Sequence, residues 1–255
     1  MSVRLTRQDE FAVITLDRQE ALNALSAAVL RELAQAFDQV AASDARALIV
    51  TGAGAKAFCA GADIKELVGR SLTEQRRDAA FGQAVLAQLD TLPMPSIAAI
   101  NGYAFGGGLE LALACTFRVA VPTAKMGLPE IKLGLIPGYG GTQRLPRVVG
   151  EARALELIMT ARTLDAEEAL RIGLIHRIAD SDPVGSAIAF AKGFSGFGLP
   201  ALRLARDAVK RALAVPLHEG LSIEADLNTL AFQTQDAVEG MTAFMEKRKP
   251  RFADR

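Results

Sequence analysis

The sequence predicts an α/β protein that ends in an all-helical region. Short apolar runs alternate with helical patterns through the first half of the chain, as expected when strands are linked by helical crossovers. Beyond about Pro200, apolar residues recur only at three- and four-residue spacing, and no strand signal remains. Between the two lies the glycine-rich run 192–200 (KGFSGFGLP), the best candidate for a linker. The expected division is therefore a core over 1–198 and a helical region over 199–255.

The elements follow in order. Residues 11–16 (FAVITL) form the first strand candidate. Ser26 can cap an amphipathic helix running to about Ala42. Residues 45–51 (ARALIVT) are a short apolar run that stops at Gly52 and Gly54. A more polar helix is expected from about Ser71 to Leu92, ended by Pro93 and Pro95. Residues 96–100 (SIAAI) read as a buried strand, Asn101-Gly102 punctuate it, and a helix follows Gly106, Gly107 and Gly108. Residues 117–121 (FRVAV) are a further strand. The carboxy-terminal helical stretches are 202–213, 217–230 and 238–245.

Composition narrows the class. Lysine plus arginine equals aspartate plus glutamate at 29 each, which gives no electrostatic reason to expect nucleic acid or an anionic membrane as partner. No apolar stretch is long enough to span a bilayer, and the first residues, MSVRLTRQDEFAVITLDR, do not read as a secretory signal. The two cysteines, Cys59 and Cys115, and the two histidines, His176 and His218, lack metal-ligand spacing, so no metal site is expected. A reducing compartment, the cytoplasm, is the simplest expectation.

Four segments carry candidate chemistry. In 101–111 (NGYAFGGGLEL) a strand ends, three glycines follow and a helix begins. The first amides of a helix lack internal partners and carry positive potential, so this point suits developing negative charge. Glu110 lies three residues beyond Gly107, on the same helical face about one turn on. Tight packing alone could equally explain the glycines. In 125–135 (KMGLPEIKLGL), Glu130 stands among apolar residues, where a carboxyl is costly to bury, although it could instead point to solvent or cap a short helix. In 56–65 (KAFCAGADIK), a small-residue turn before a helix near Asp63 offers free amides, or is an ordinary loop with Asp63 as cap. The glycine-rich 134–144 (GLIPGYGGTQR) is a loop leading into a helix and matches no dinucleotide fingerprint.

Together these segments resemble the crotonase, or enoyl-CoA hydratase/isomerase, superfamily. The resemblance rests on FCAGADIKE, PSIAAINGYAFGGGLELALAC, MGLPEIKLGLIPGYGGTQRLPR and EGMTAFMEKRKPRF, in that order, and covers nearly the whole chain. It implies a crotonase-like ββα spiral with a helical carboxy-terminal trimerisation region, assembled as a homotrimer or a dimer of trimers. On matching positions it implies that the N–H groups of Ala62 and Gly107 form an oxyanion hole for a thioester carbonyl, and that Glu110 and Glu130 are the two acids of a hydratase. Ala60, Gly61, Ala62, Asp63, Ile64 and Lys65 would hold the adenine end of CoA, and Ala24 would line the CoA path. Phe244 and Lys247 would approach CoA, often across a subunit boundary. Leu109, Thr116 and Tyr139 depart from the commonest hydratase text, where cysteine, aspartate and alanine are frequent, and Tyr139 puts the preferred acyl group in question.

The expected reaction is hydration of a trans-2-enoyl-CoA to 3-hydroxyacyl-CoA, as in β-oxidation. It needs no cofactor, because CoA is part of the acyl-CoA thioester substrate. Glu110 would activate the water and Glu130 would deliver the proton at C2. The alternatives are an enoyl-CoA isomerase, a hydratase for a specialised aromatic or branched acyl group, or an RNA-binding protein on the same scaffold, for which 246–251 (EKRKPR) is the only dense basic tract. A serine or cysteine hydrolase is disfavoured by the absence of a GxSxG elbow and of a histidine partner for either cysteine.

Overall fold

The computed structural model describes residues 1–255. The chain opens with β1 (Val3–Gln8), which turns back at Asp9 (φ 52°) into β2 (Phe11–Leu16) as an antiparallel hairpin. Next come α1 (Ala27–Ala41), β3 (Ala47–Gly52), β4 (Ala57–Cys59) and α2 (Leu72–Thr91). Then follow β5 (Ser96–Ile100), β6 (Tyr103–Phe105), α3 (Gly107–Ala114), β7 (Phe117–Ala120) and β8 (Lys125–Gly127). The core continues through α4 (Gly141–Val149), α5 (Glu151–Thr160), β9 (Leu164–Asp165), α6 (Ala166–Arg171), β10 (Arg177–Ile178) and α7 (Pro183–Ala191). The chain closes with α8 (Leu199–Arg211), α9 (Leu217–Phe232) and α10 (Gln235–Met245).

Successive turns of the chain give one strand to each of two sheets. The larger sheet has the order β1-β2-β3-β5-β7-β10, parallel from β2 onward, and the smaller has the order β4-β6-β8-β9. The pairs β3/β4, β5/β6 and β7/β8 are therefore rungs of a ββα spiral. Residues of β3 are buried without exception, because both faces of the parallel sheet are covered. Leu48 and Val50 face the main core, while Ala47 and Ile49 face a second cluster that α7 closes with Ala187 and Ala191. This double burial is why the central strands read as continuous apolar runs.

Helix α1 starts where expected: the Ser26 hydroxyl accepts from the Val29 amide at 3.2 Å, and Val29, Leu30, Leu33, Phe37 and Val40 form its buried stripe. Ser71 and Glu74 form a reciprocal capping box for α2. Only the second half of α2 is buried, through Gly82, Val85, Leu86 and Leu89. The helix expected near Asp63 is a single 3-10 turn, Ile64–Glu66. Sequence reading also passed over β1, the short strands β4, β6, β8, β9 and β10, and the helices α5, α6 and α7. In β1 only Val3 is buried, as suits an edge strand, so it lacks an apolar signature.

Two buried asparagines tie the loops between the sheets. Asn101 donates to the Gly54 carbonyl at 2.6 Å and accepts from the Gly52 amide at 3.1 Å. Asn23, at φ 59°, donates to the Ala57 carbonyl at 2.8 Å and accepts from the Arg18 amide at 3.0 Å. Removing either side chain strands buried backbone groups. Asn101→Ala is expected to lower stability by about 1–3 kcal/mol, read as a lower urea midpoint with an unchanged denaturant slope.

His176 and both cysteines take structural places. The Arg118 amide donates to His176 Nδ1 at 3.2 Å. Burial, helped by the neighbouring Arg118 charge, pushes the imidazole down to about 4. Cys59 and Cys115 are free and buried, and burial pushes each thiol up to about 12, which leaves no thiolate at neutral pH.

The carboxy-terminal helices attach through polar ties. Arg206 of α8 donates to the carbonyls of Leu92 at 2.6 Å and Met94 at 3.2 Å, and Lys210 pairs with Asp90. The tail folds back on α10: the amides of Ala253 and Asp254 donate to Asp236 at 2.7 and 3.0 Å. Neither α8 nor α9 buries a residue. No helix is long and apolar enough to cross a membrane.

Candidate active site

The site is assembled where α3 begins. Gly106 caps α3 at φ 49°, ψ −125°, a conformation open to glycine and strained for other residues. Its amide donates to the Gly127 carbonyl at 3.0 Å. Gly107 follows as the first residue of α3, so its N–H has no acceptor within the helix.

Ala62 reaches the same point from the opposite side. Leu25 forms a parallel bridge to Ala62, in which the Leu25 amide donates to the Gly61 carbonyl at 2.8 Å and the Asp63 amide donates to the Leu25 carbonyl at 2.9 Å. Those bonds use the residues flanking Ala62 and leave its own N–H directed away from the bridge. A Cβ built on Gly107 would lie 3.4 Å from the Ala62 nitrogen. The two amides are thus neighbours, brought together by a residue without a side chain.

Glu110 projects from the first turn of α3 and is 2 % exposed. One carboxylate oxygen, Oε1, accepts from the Tyr139 amide at 2.8 Å and the Gly141 amide at 2.7 Å. Gly141 opens α4, and a Cβ there would come within 3.0 Å of Glu110 Oε1. The glycine-rich 138–141 turn therefore exists to let the backbone close on a carboxylate, which its sequence alone did not reveal. Burial pushes Glu110 up to about 7, and the nearby Glu130 charge adds to this. The Gly141 and Tyr139 amides and the more distant Arg144 pull it back.

Glu130 begins a 3-10 turn, Glu130–Leu133, after Pro129. The residue is only partly exposed, so its carboxyl does not simply project into solvent. A Cβ on Gly106 would lie 3.0 Å from Glu130 Oε1, so the carboxyl sits over the start of α3. Its Oε2 is buried without a hydrogen-bond partner in the chain, and burial raises its pKa. A buried oxygen left unpaired is costly unless a ligand or water meets it.

The turn 60–65 borders this centre. The Ala60 amide donates to the Leu22 carbonyl at 3.0 Å, which ties the turn to the segment carrying Ala24. Asp63 is engaged by its own surroundings: Arg18 pairs with it at 2.8 Å, and it accepts from the Lys65 amide at 3.2 Å. Arg18 holds its carboxyl below the usual range. Ile64 is exposed and Lys65 is surface-facing. Phe244 is 85 % exposed, and Lys247, at φ 56° just past α10, is exposed as well. Within one chain, α10 packs on α9 and the tail rather than on α3.

Two cavities flank the centre. A small one of about 50 Å³ is lined by Leu25, Ala62, Asp63, Phe81 and Tyr139 among others. A much larger one of about 990 Å³ lies between α2, α4 and α8. Neither acid lines either cavity; the smaller one meets the centre through Ala62, and both meet it at Tyr139. Sequence reasoning missed Asn23, Arg18 and the Tyr139 and Gly141 amides, because each acts through a contact distant in sequence.

These features define an α/β spiral protein in which two free amides and two part- or fully buried acids converge at one helix start. The family model for enoyl-CoA hydratase/isomerase matches residues 6–255. The chain is 42 % identical to the crotonyl-CoA hydratase of Syntrophomonas wolfei over 253 residues, covering 98 % of this chain and 97 % of that protein. It is 40 % identical to the short-chain-enoyl-CoA hydratase of Clostridium acetobutylicum, covering 97 % and 96 %. The crystal structure of enoyl-CoA hydratase from Bacillus anthracis superposes with a TM-score of 0.94 at 40 % identity, covering all of both chains. The chain belongs to the enoyl-CoA hydratase/isomerase family.

Proposed function

We propose that this protein is an enoyl-CoA hydratase, a hydro-lyase that adds water across the 2,3 double bond of a trans-2-enoyl-CoA. The observation that carries the reading is the pairing of Glu110 with Glu130 beside the Ala62 and Gly107 amides. The hydratase names of full-length relatives support it.

The Ala62 and Gly107 N–H groups form an oxyanion hole for the thioester carbonyl. Donating to that oxygen withdraws electrons from C3 and stabilises the enolate that forms when water adds; one such donor is worth about 10²–10³ in rate. Glu110 Oε1 is fixed by two amides, so Oε2 can hold the water and take its proton as oxygen bonds to C3. Glu130, with its unpaired oxygen, delivers a proton to C2 as the enolate collapses. Water contributes OH to C3 and the net proton to C2, and no oxidation state changes overall, so CoA enters only as part of the substrate. The 60–65 turn and Ala24 receive the CoA, with Phe244 and Lys247 supplied by another copy.

The exposed Leu217, Leu221, Leu230 and Phe232 of α9 support an assembly in which other copies cover these side chains; the assembly proposed is a homotrimer or a dimer of trimers. Buried, unpaired cysteines support a cytoplasmic setting.

The test is loss of the conjugated enoyl absorbance when crotonyl-CoA is added, with Glu110→Ala as control. Rapid, Glu110-dependent loss is expected. No loss, with CoA thioesters still bound, would move the reading to isomerisation. The pH dependence follows from Glu110: as the base it must be ionised, so kcat/KM should rise with pH through about 7. Stability should run the other way. Glu110's pKa is raised from 4.5 to about 7 on folding, so its contribution is full below 4.5 and is lost as pH rises to 7.

A further inference from the structure

We infer that the Tyr139 side chain sets the acyl-length limit of this site, its ring being a partition between the pocket at Ala62 and the 990 Å³ cavity behind it. The inference rests on the hydratase reading above and specifies which acyl groups that site accepts.

Tyr139 is the one residue that lines both cavities. Its ring is wedged between two helices at glycines. A Cβ on Gly82 of α2 would fall 2.3 Å from the ring, and one on Gly107 of α3 would fall 3.3 Å from it. The ring therefore fills the gap between α2 and α3 beside the oxyanion amide itself. Its backbone is anchored as well, since the Tyr139 amide donates to Glu110. An acyl chain whose carbonyl sits at Ala62 and Gly107 meets this ring after a short run of carbons.

The space beyond the ring suits an aliphatic chain. Leu113, Val148, Leu202 and Val209 are among its walls, and its volume lies in the range of ligand pockets, about 300–1,000 Å³. Its basic residues are largely engaged in the wall. Arg144 and Lys210 pair with Asp90, Arg206 donates to the Leu92 and Met94 carbonyls, and Arg118 donates to those of Leu174 and Cys115. The cations thus do not call for an anionic acyl terminus. With the ring in place the cavity is cut off from the reacting carbon, and the enzyme is a short-chain hydratase. With the ring removed, the two spaces join.

The experiment compares kcat/KM for 2-butenoyl-CoA and 2-octenoyl-CoA in the wild type, Tyr139→Ala and Tyr139→Leu. The readout is the ratio within each variant, so any effect on Glu110 through the backbone cancels. The leucine variant keeps apolar contact with Gly82 and Gly107 should the alanine variant fold poorly. Each buried methylene is worth up to about fourfold, so the octenoyl-to-butenoyl ratio is expected to rise at least about tenfold in both variants. Adding Ala87→Phe, which puts bulk into the cavity from an exposed position on α2, should reverse the gain. A wild type that already prefers octenoyl-CoA overturns the inference, as does an unchanged ratio in variants that still hydrate butenoyl-CoA; both outcomes leave the hydratase reading standing. A wild type that hydrates neither thioester overturns the hydratase reading, and the inference with it.

Discussion

Glu130→Gln is expected to lower kcat for crotonyl-CoA by about 10²–10⁴, the usual worth of one acid–base group, while saturated butyryl-CoA binds with nearly unchanged affinity. The side chain keeps its volume over Gly106, so the amides of Ala62 and Gly107 stay in place and only proton delivery is lost. Glu110→Gln should fall by a similar factor for a different reason. Glutamine can still accept from the Tyr139 and Gly141 amides, but it cannot take a proton from water. The residual activity of that variant should also lose the rise through about pH 7. Stopped-flow turnover with calorimetric binding separates the two effects. Near-wild-type turnover in Glu130→Gln would remove it from the chemistry. If either variant still moves the double bond of a 3-enoyl thioester at full rate, proton shuttling needs one acid while hydration needs both.

The second large effect is structural. A Cβ on Gly108 would lie 2.0 Å from the Cys59 carbonyl oxygen and 2.7 Å from its carbon, and both are backbone atoms of β4 that cannot rotate away. Gly108→Ala must therefore push α3 off β4, at a cost of about 2–3 kcal/mol, the upper part of the usual range for overpacking. In a chain of this size that is a drop in Tm of about 4–12 °C. Activity should fall further than stability, because the shift separates the Gly107 amide from that of Ala62. Gly196→Ala, where a Cβ meets nothing within 4 Å, is the matched control and should melt within a few degrees of the wild type. Equal melting of the two variants would show that α3 can slide on β4 without strain.

Much of the scaffold was legible because burial leaves a one-dimensional trace. β2, β3 and β5 are covered on both faces, so each appears as a largely apolar run, and β7 does so apart from the buried Arg118. The caps at Ser26 and Ser71 fall beside the helices they start. Glu110, Glu130, the Gly107 helix start and the Ala62 turn stand out as candidates in local text, since a helix terminus after glycines and a carboxyl among apolar residues are local features. Ordinary packing and capping explain each segment as well, and only the family resemblance implies their roles. The strands β4, β6 and β8 could not, because three residues are too few to show a period.

What only the tertiary structure decided is how these pieces meet. Glu110 takes its hydrogen bonds from amides 29 and 31 residues away, and its poise near neutrality comes from desolvation that no local window contains. Asp63 looked like part of a ligand-binding turn, and the fold engages it with Arg18, 45 residues distant. Tyr139 departs from the commonest family text in a way that puts the preferred acyl group in question, but only the fold places its ring between Gly82 and Gly107, where it lines two cavities. Sequence carries propensity, pattern and residue chemistry; the distances between groups remote along the chain, and the water excluded between them, arise only when the core closes.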